Sequence, residues 1–243
     1  MSTLILITRP RDGAETFAAR LRDRLGPDAD ICVAPLIEIV HLDGLPDLAQ
    51  FGSLIFTSAH AVASFAGATP RRDFTCYVVG EATAEAARGA GFTPLTGSGT
   101  GRDLADMILR DEPATPCLYV RGENVALDLA HHLNAAGTET EQAIVYRQDP
   151  VPLDDAALTR ISQSGNLVAP VFSAQSARLL LEALPMRTSL QIAAISKAVA
   201  DLIPADRTAQ VEVAMAPDAS AMLDCVAALW SNANRLEGRG TAQ

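Results

Sequence analysis

Leu54-Ile55-Phe56-Thr57-Ser58-Ala59-His60-Ala61-Val62 begins as a strand and ends as a helix. Three apolar residues run without a polar break, a threonine and a serine follow, and small or apolar residues then recur. A short apolar run suits a strand covered on both faces, and a hydroxyl residue at its end suits a helix N-cap. The pattern returns in Val171-Phe172-Ser173-Ala174-Gln175-Ser176, 116 residues downstream. Working outward, Val78–Ala84 resembles Ala194–Ala200 at the same spacing of 116, and Asp103–Met107 resembles Ala221–Cys225 at 118. Ile7–Arg9 resembles Tyr119–Arg121 at 112, and Val33–Glu38 resembles Ala143–Gln148 at 110. Each match alone is weak. Five in one order, with a slowly drifting spacing, indicate a duplicated unit of about 115 residues.

Further aliphatic runs at Leu4–Ile7, Ile31–Val40, Cys117–Val120, Val168–Phe172 and Val211–Met215 alternate with helical patterns. That alternation predicts an α/β fold with mostly parallel sheets flanked by helices. The chain has 243 residues, which allows one or two domains. Its 49% apolar and 20% charged content is enough to form cores and excludes a disordered chain. A net charge of −10 weighs against general nucleic-acid binding and against anionic membrane surfaces. Of the 19 basic residues only Lys197 is lysine, a bias that arginine-rich codon usage explains. No run approaches the roughly 20 apolar residues of a membrane helix. The segment Met1–Arg9 lacks a basic leader and reads as an early strand. Cys32, Cys76, Cys117 and Cys225 are scattered, as expected of reduced, buried thiols in a cytoplasmic protein. The polar tail from Asn232 reads as unstructured.

The candidate functional residues sit where predicted strands end. Thr57, Ser58, Ser173 and Ser176 open helices, where hydroxyls cap orphan amides or, with those amides, hold an anion. Gly80-Glu81-Ala82-Thr83 and Ser196-Lys197 are matching strand–turn–helix junctions, and Lys197 is suited to a carboxylate or to the solvent. Arg9 and Arg121-Gly122 follow two further strands, suited to carboxylate ligands or to local pairing with Asp12 and Glu123. Tyr146 ends a strand where two lobes should meet, either packed there or placed to donate a proton. The phosphate loop, the dinucleotide fingerprint and the nucleophile elbow are all missing. His41, His60, His131 and His132 form no metal-ligand spacing.

Taken together, Thr8-Arg9-Pro10, Leu54–Val62, Tyr77–Thr83, Leu118–Glu123, Val145-Tyr146-Arg147 and Val171–Ser176 resemble the uroporphyrinogen-III synthases, in that family's order and over nearly the whole chain. The resemblance implies cyclisation of the linear tetrapyrrole hydroxymethylbilane with loss of water and inversion of the last pyrrole ring. It implies no metal or organic cofactor. It also implies a monomeric cytoplasmic lyase that takes its substrate by transient hand-over from porphobilinogen deaminase, with no nucleic-acid or membrane partner. The implied architecture is two similar lobes, each a parallel sheet flanked by helices. One takes residues 1–34 and 150–243 and the other 42–142, joined by connector strands 35–41 and 143–149, with substrate in an interlobe cleft. Tyr146 matches the tyrosine proposed to assist departure of the hydroxyl. Thr57, Ser58, Thr83 and Ser173 match substrate-facing positions, and Arg9 and Arg121 match family positions. Ser196 and Lys197 fall on the second turn motif, where Ala198 and Val199 stand in place of the usual paired threonines. That departure leaves room for a second reading, a non-catalytic two-lobed module for a small polycarboxylate. A sensor lobe of the periplasmic-binding type is a third, against which the lack of a leader and of disulfides counts.

Overall fold

A computed structural model describes residues 3–125, 127–185 and 189–240, without side chains for 236–240. The chain divides into two compact units. The first holds residues through Glu38 and from Pro150 onward, and the second holds Ile39–Asp149.

In chain order the elements begin with β1 (Thr3–Ile7), α1 (Arg11–Leu25), β2 (Asp30–Val33) and β3 (Ile37–His41). The second unit continues with β4 (Ser53–Phe56), α2 (Ala59–Ala68), β5 (Thr75–Val78), α3 (Glu81–Gly89), β6 (Pro94–Thr96), α4 (Gly101–Asp111), β7 (Cys117–Gly122), α5 (Leu129–Ala135) and β8 (Thr140–Pro150). The chain then returns to the first unit through α6 (Asp155–Gln163), β9 (Asn166–Val171), α7 (Ala174–Ala183), β10 (Leu190–Ala194), α8 (Lys197–Ala200), β11 (Gln210–Val213) and α9 (Ala219–Gly240). The unit boundaries fall inside β3 and β8.

The first unit's sheet has the order β11-β10-β9-β1-β2, with parallel pairing throughout. The second unit's sheet reads β3-β8-β7-β4-β5-β6, and every pair from β8 to β6 is parallel. Laid side by side, β6-β5-β4-β7-β8 and β11-β10-β9-β1-β2 follow the sequence matches at four of the five strands, with β6 and β11 matched by position alone. The chain-order duplication is therefore two copies of one sheet, the first unit drawing its strands from both ends of the chain. The run Ile31–Val40, expected as one strand, is two strands separated at Pro35. Proline has no amide to give a ladder, and beyond it the Leu36 amide bonds the Thr8 carbonyl instead. The tail expected to be unstructured from Asn232 continues as helix to Gly240, and residues 241–243 lie outside those described.

Alternation along the central strands separates two cores in the second unit. Leu54, Phe56, Val78, Leu118 and Val120 pack on one face with Phe65 and Phe92. Ile55, Tyr77 and Tyr119 pack on the other with Leu104, Ile108 and Leu129. Phe65 is fully buried and meets Phe56, Phe74 and Phe92 at ring distances of 5.7–6.0 Å. In the first unit, Ile5, Ile7 and Val168 bury against Phe17, Leu21, Val226 and Leu229. Cys32, Cys76 and Cys117 are buried and Cys225 is half-buried, as small apolar side chains would be. Burial pushes the Cys76 thiol up to about 12, so it stays an unreactive thiol at neutral pH. Among the described residues no helix is long and apolar enough to cross a membrane.

Because Phe65 has three aromatic neighbours and no route to solvent, truncation leaves a cavity. Phe65→Ala is expected to destabilise the protein by about 3–5 kcal/mol in urea denaturation. A loss under about 1 kcal/mol would mean that this face is not a close-packed core.

Candidate active site

In a parallel sheet, successive strands added first to one side and then to the other send their helices apart at the reversal. A gap opens there at the carboxyl ends of the strands. In the second unit the reversal lies between β4 and β7. Thr57 and Ser58 leave β4 at that edge, and Arg121 and Gly122 end β7. The gap is a pocket of about 310 Å³.

Ser58 caps α2, its Oγ accepting the His60 amide at 3.1 Å. The same Oγ accepts the Tyr146 phenol at 3.0 Å. A hydroxyl oxygen has two lone pairs and one proton, so both acceptor positions are filled and the Ser58 proton is left to give. Beside it, Thr57 Oγ1 lies 2.9 Å from the Tyr119 hydroxyl. Both phenols are buried, and burial pushes both above the ordinary phenol value, while their hydroxyl partners pull the other way. They remain protonated at physiological pH.

A local irregularity brings Tyr146 to this edge. Along β7 and β8 the register runs Val120 opposite Ala143 and Arg121 opposite Ile144, then skips so that Gly122 faces Tyr146. The bulge breaks the strict in–out alternation, and Val145 and Tyr146 are both buried. Gly122 is the other half of the arrangement. A Cβ there would lie 2.5 Å from Tyr146 Cζ and 2.8 Å from its hydroxyl. The ring therefore occupies the space a side chain would need.

The pocket wall joins these hydroxyls and Asn124 to Val79, Val125, Leu127 and Leu129. Among the described residues, no Asp, Glu, Lys, Arg or His side chain lines it. Such a wall suits a flat heteroaromatic ring with a few hydrogen-bonding positions better than a carboxylate on its own.

The other expected residues stand elsewhere in their units. Thr83 lies on the buried inward side of α3, outside this pocket. Arg121 is taken up locally, with Nε on Gln142 at 2.6 Å and Nη1 on the Gly122 and Glu123 carbonyls at 2.7 and 2.9 Å. In the first unit the strand order reverses between β1 and β9, and Arg9 follows β1 there. Its guanidinium stacks on Phe172 at 4.3 Å, its Nε is buried without a hydrogen-bond partner, and burial lowers its pKa. Ser173 and Ser176 form a capping box, so their hydroxyls serve the start of α7. Ser196 caps α8, and Lys197 is exposed and paired with Asp201 at 2.7 Å.

Tyr119 was missed by sequence reasoning. Its alternation with Leu118 and Val120 reads simply as core. A signal was available in that it is one of only three tyrosines and precedes Arg121-Gly122 by two residues.

The repeated sheets make this a two-unit α/β protein with a strand-order reversal in each unit, the place where open α/β sheets commonly take ligands. The family model described as uroporphyrinogen-III synthase HemD matches residues 15–224. The chain belongs to this family of lyases, which close hydroxymethylbilane to uroporphyrinogen III. Among solved structures, uroporphyrinogen-III synthetase from Helicobacter pylori is 16% identical over 94% of this chain and 100% of that one, with a TM-score of 0.67. A mutant uroporphyrinogen III synthase from Thermus thermophilus is 18% identical over 92% of this chain and 96% of that one, with a TM-score of 0.50. At such identities these likenesses establish the fold. No curated protein matches the chain.

Gly122→Ala tests the packing of the site. The added methyl must displace the Tyr146 ring, so turnover is expected to fall more than about tenfold, with far-UV circular dichroism unchanged. Wild-type turnover would show that the ring position does not matter.

Proposed function

We propose that the second unit's reversal pocket is where this chain activates hydroxymethylbilane for ring closure, with Ser58 and Tyr146 attending the departing hydroxyl. The observation that carries the reading is the bond from Tyr146 to Ser58, which leaves the Ser58 proton free at the edge of a pocket without charged side chains among the described residues.

The chemistry follows from that hydrogen-bond order. The pyrrole nitrogen lone pair pushes out the terminal hydroxyl, and the C–O electrons leave with oxygen. The Ser58 proton completes a water molecule, and Tyr146 passes its own proton to Ser58. The pyrrole N–H proton, lost as the azafulvene forms, restores the phenol, so the net loss is one water. Ring closure then depends mainly on how the terminal pyrrole is held, since the bilane also closes unaided without inversion. The apolar wall of Val79, Val125, Leu127 and Leu129 supports holding a ring face.

Carboxylate recognition falls to other groups. Arg9, a cation with an unpartnered Nε, is assigned to a substrate carboxylate that reaches the first unit. Arg121 fixes the turn after β7, a role its three local bonds support. Thr83, Ser173, Ser176, Ser196 and Lys197 are assigned to shaping their strand–helix turns. The reading includes a monomer in the cytoplasm that receives the bilane from porphobilinogen deaminase. A non-catalytic polycarboxylate module was favoured by Ala198 and Val199. Val199 is only 7% exposed, so a hydroxyl there would face the core, whereas Ala198 is exposed, and the argument keeps its force at that one position.

Hydroxymethylbilane supplied by porphobilinogen deaminase should give the III isomer in the presence of this protein. The I isomer alone would defeat the proposal, and tight bilane binding without product would select the module. Tyr146→Phe is expected to stay folded and to lose about 100-fold or more in kcat. Because burial raises the phenol's pKa, kcat should show no alkaline fall below about pH 10. An inflection near pH 8 that Tyr146→Phe abolishes would contradict the assignment.

A further inference from the structure

We infer that Tyr119 is a positioning residue for the same reaction, fixing the Thr57 hydroxyl as a second proton-bearing contact in the pocket. The inference rests on the reading that bilane activation takes place there.

The geometry is a pair of grips on one turn. Thr57 and Ser58 are consecutive, and their side chains engage phenols from opposite faces of the sheet. Tyr119 comes from the core that contains Ile55 and Leu129. Tyr146 comes from the core that contains Phe56 and Val145. The two strands carrying the phenols, β7 and β8, are neighbours, and β7 lies directly against β4. Tyr119 pairs with Ile55 in the ladder, so its side chain reaches past the end of β4 to the residue two places on.

Capping makes no demand on the Thr57 hydroxyl, because Ser58, not Thr57, caps α2 by accepting the His60 amide. Threonine is stiff at χ1 and presents either its methyl or its hydroxyl to a given side. A partner for Oγ1 decides which. Tyr119 is 1% exposed, so its ring is held in place, and Tyr119 and Thr57 both line the pocket. Either hydroxyl can donate in this pair, and the phenol, the more acidic of the two, is taken as the donor. Thr57 then keeps its own proton for the substrate, as Ser58 does. The two hydroxyls stand on adjacent residues of one turn, so both can address a single pyrrole unit and its substituents. Removing the Tyr119 hydroxyl frees the Thr57 rotamer while leaving the core volume intact.

The test is a double-mutant cycle on kcat, KM and the III-to-I product ratio, using hydroxymethylbilane generated in the assay. Tyr119→Phe is expected to lower kcat/KM about 3- to 10-fold and to raise the share of I isomer. Thr57→Val should do the same or more. The double variant should fall no further than Thr57→Val alone. Thr57→Ser, which keeps a hydroxyl, should keep its sensitivity to Tyr119→Phe. A merely structural Tyr119 would shift the melting temperature but give multiplicative losses in the cycle, and that overturns the inference. So does wild-type behaviour of Tyr119→Phe. If wild type makes the III isomer and Tyr146→Phe is impaired while Tyr119→Phe is not, the inference fails and the reading of the pocket stands. If wild type makes only the I isomer, both fall.

Discussion

A parallel sheet can be joined only by crossovers of one hand, so a strand order that grows in both directions has to reverse once. At the reversal the helices depart to opposite faces and the carboxyl ends of two strands are left uncovered. Both units of this protein have that feature, between β4 and β7 and between β1 and β9. The rest of the second unit's site depends on it. Thr57 and Ser58 are at the edge because β4 ends there, and Gly122 is beside them because β7 is the neighbour across the reversal. Tyr146 reaches them only because a bulge turns it inward and Gly122 has no side chain in its way.

Much of this architecture is legible in the sequence because the signals are local. Short aliphatic runs ending in serine or threonine mark the strand–helix junctions, and their recurrence marks the repeated sheet. Pro35 shows why boundaries are less legible. An apolar run hides a break that only the missing amide reveals. The residues that share the candidate pocket were readable where a residue type is unusual, as with Tyr146 and Gly122. It was unreadable where register decides, because a bulge leaves no composition signal and Tyr119 is indistinguishable from core by alternation alone. Ser173 and Ser176 show the opposite limit. The pattern that marks an anion site at a helix start is also the pattern of a capping box, and here the box accounts for their hydroxyls.

The charge of −10 takes on a different meaning beside the geometry. A negative net charge gives a polyanionic bilane no overall long-range attraction, which puts the weight of the proposed binding on short-range donors. The pocket supplies hydroxyls rather than cations. Buried phenols pushed above their usual value hold their protons until a stronger base forms beside them, which is the property that the proposed role of Tyr146 requires. Arg9, stacked on Phe172 with a buried, unpartnered Nε, is the cation that the proposed reading assigns to a carboxylate in the first unit. Lys197, the sole lysine, is held in solvent by Asp201.

The central claim is that a pyrrole ring of the tetrapyrrole sits at the β4–β7 reversal, against the Thr57–Ser58 turn. A crystal structure of the protein with uroporphyrinogen III bound tests it most directly. The expected result is a pyrrole of the terminal half seated on Val79, Val125 and Leu127, with Ser58 and Thr57 within hydrogen-bond distance of it. Product bound with the Ser58–Tyr146 edge untouched would contradict the account.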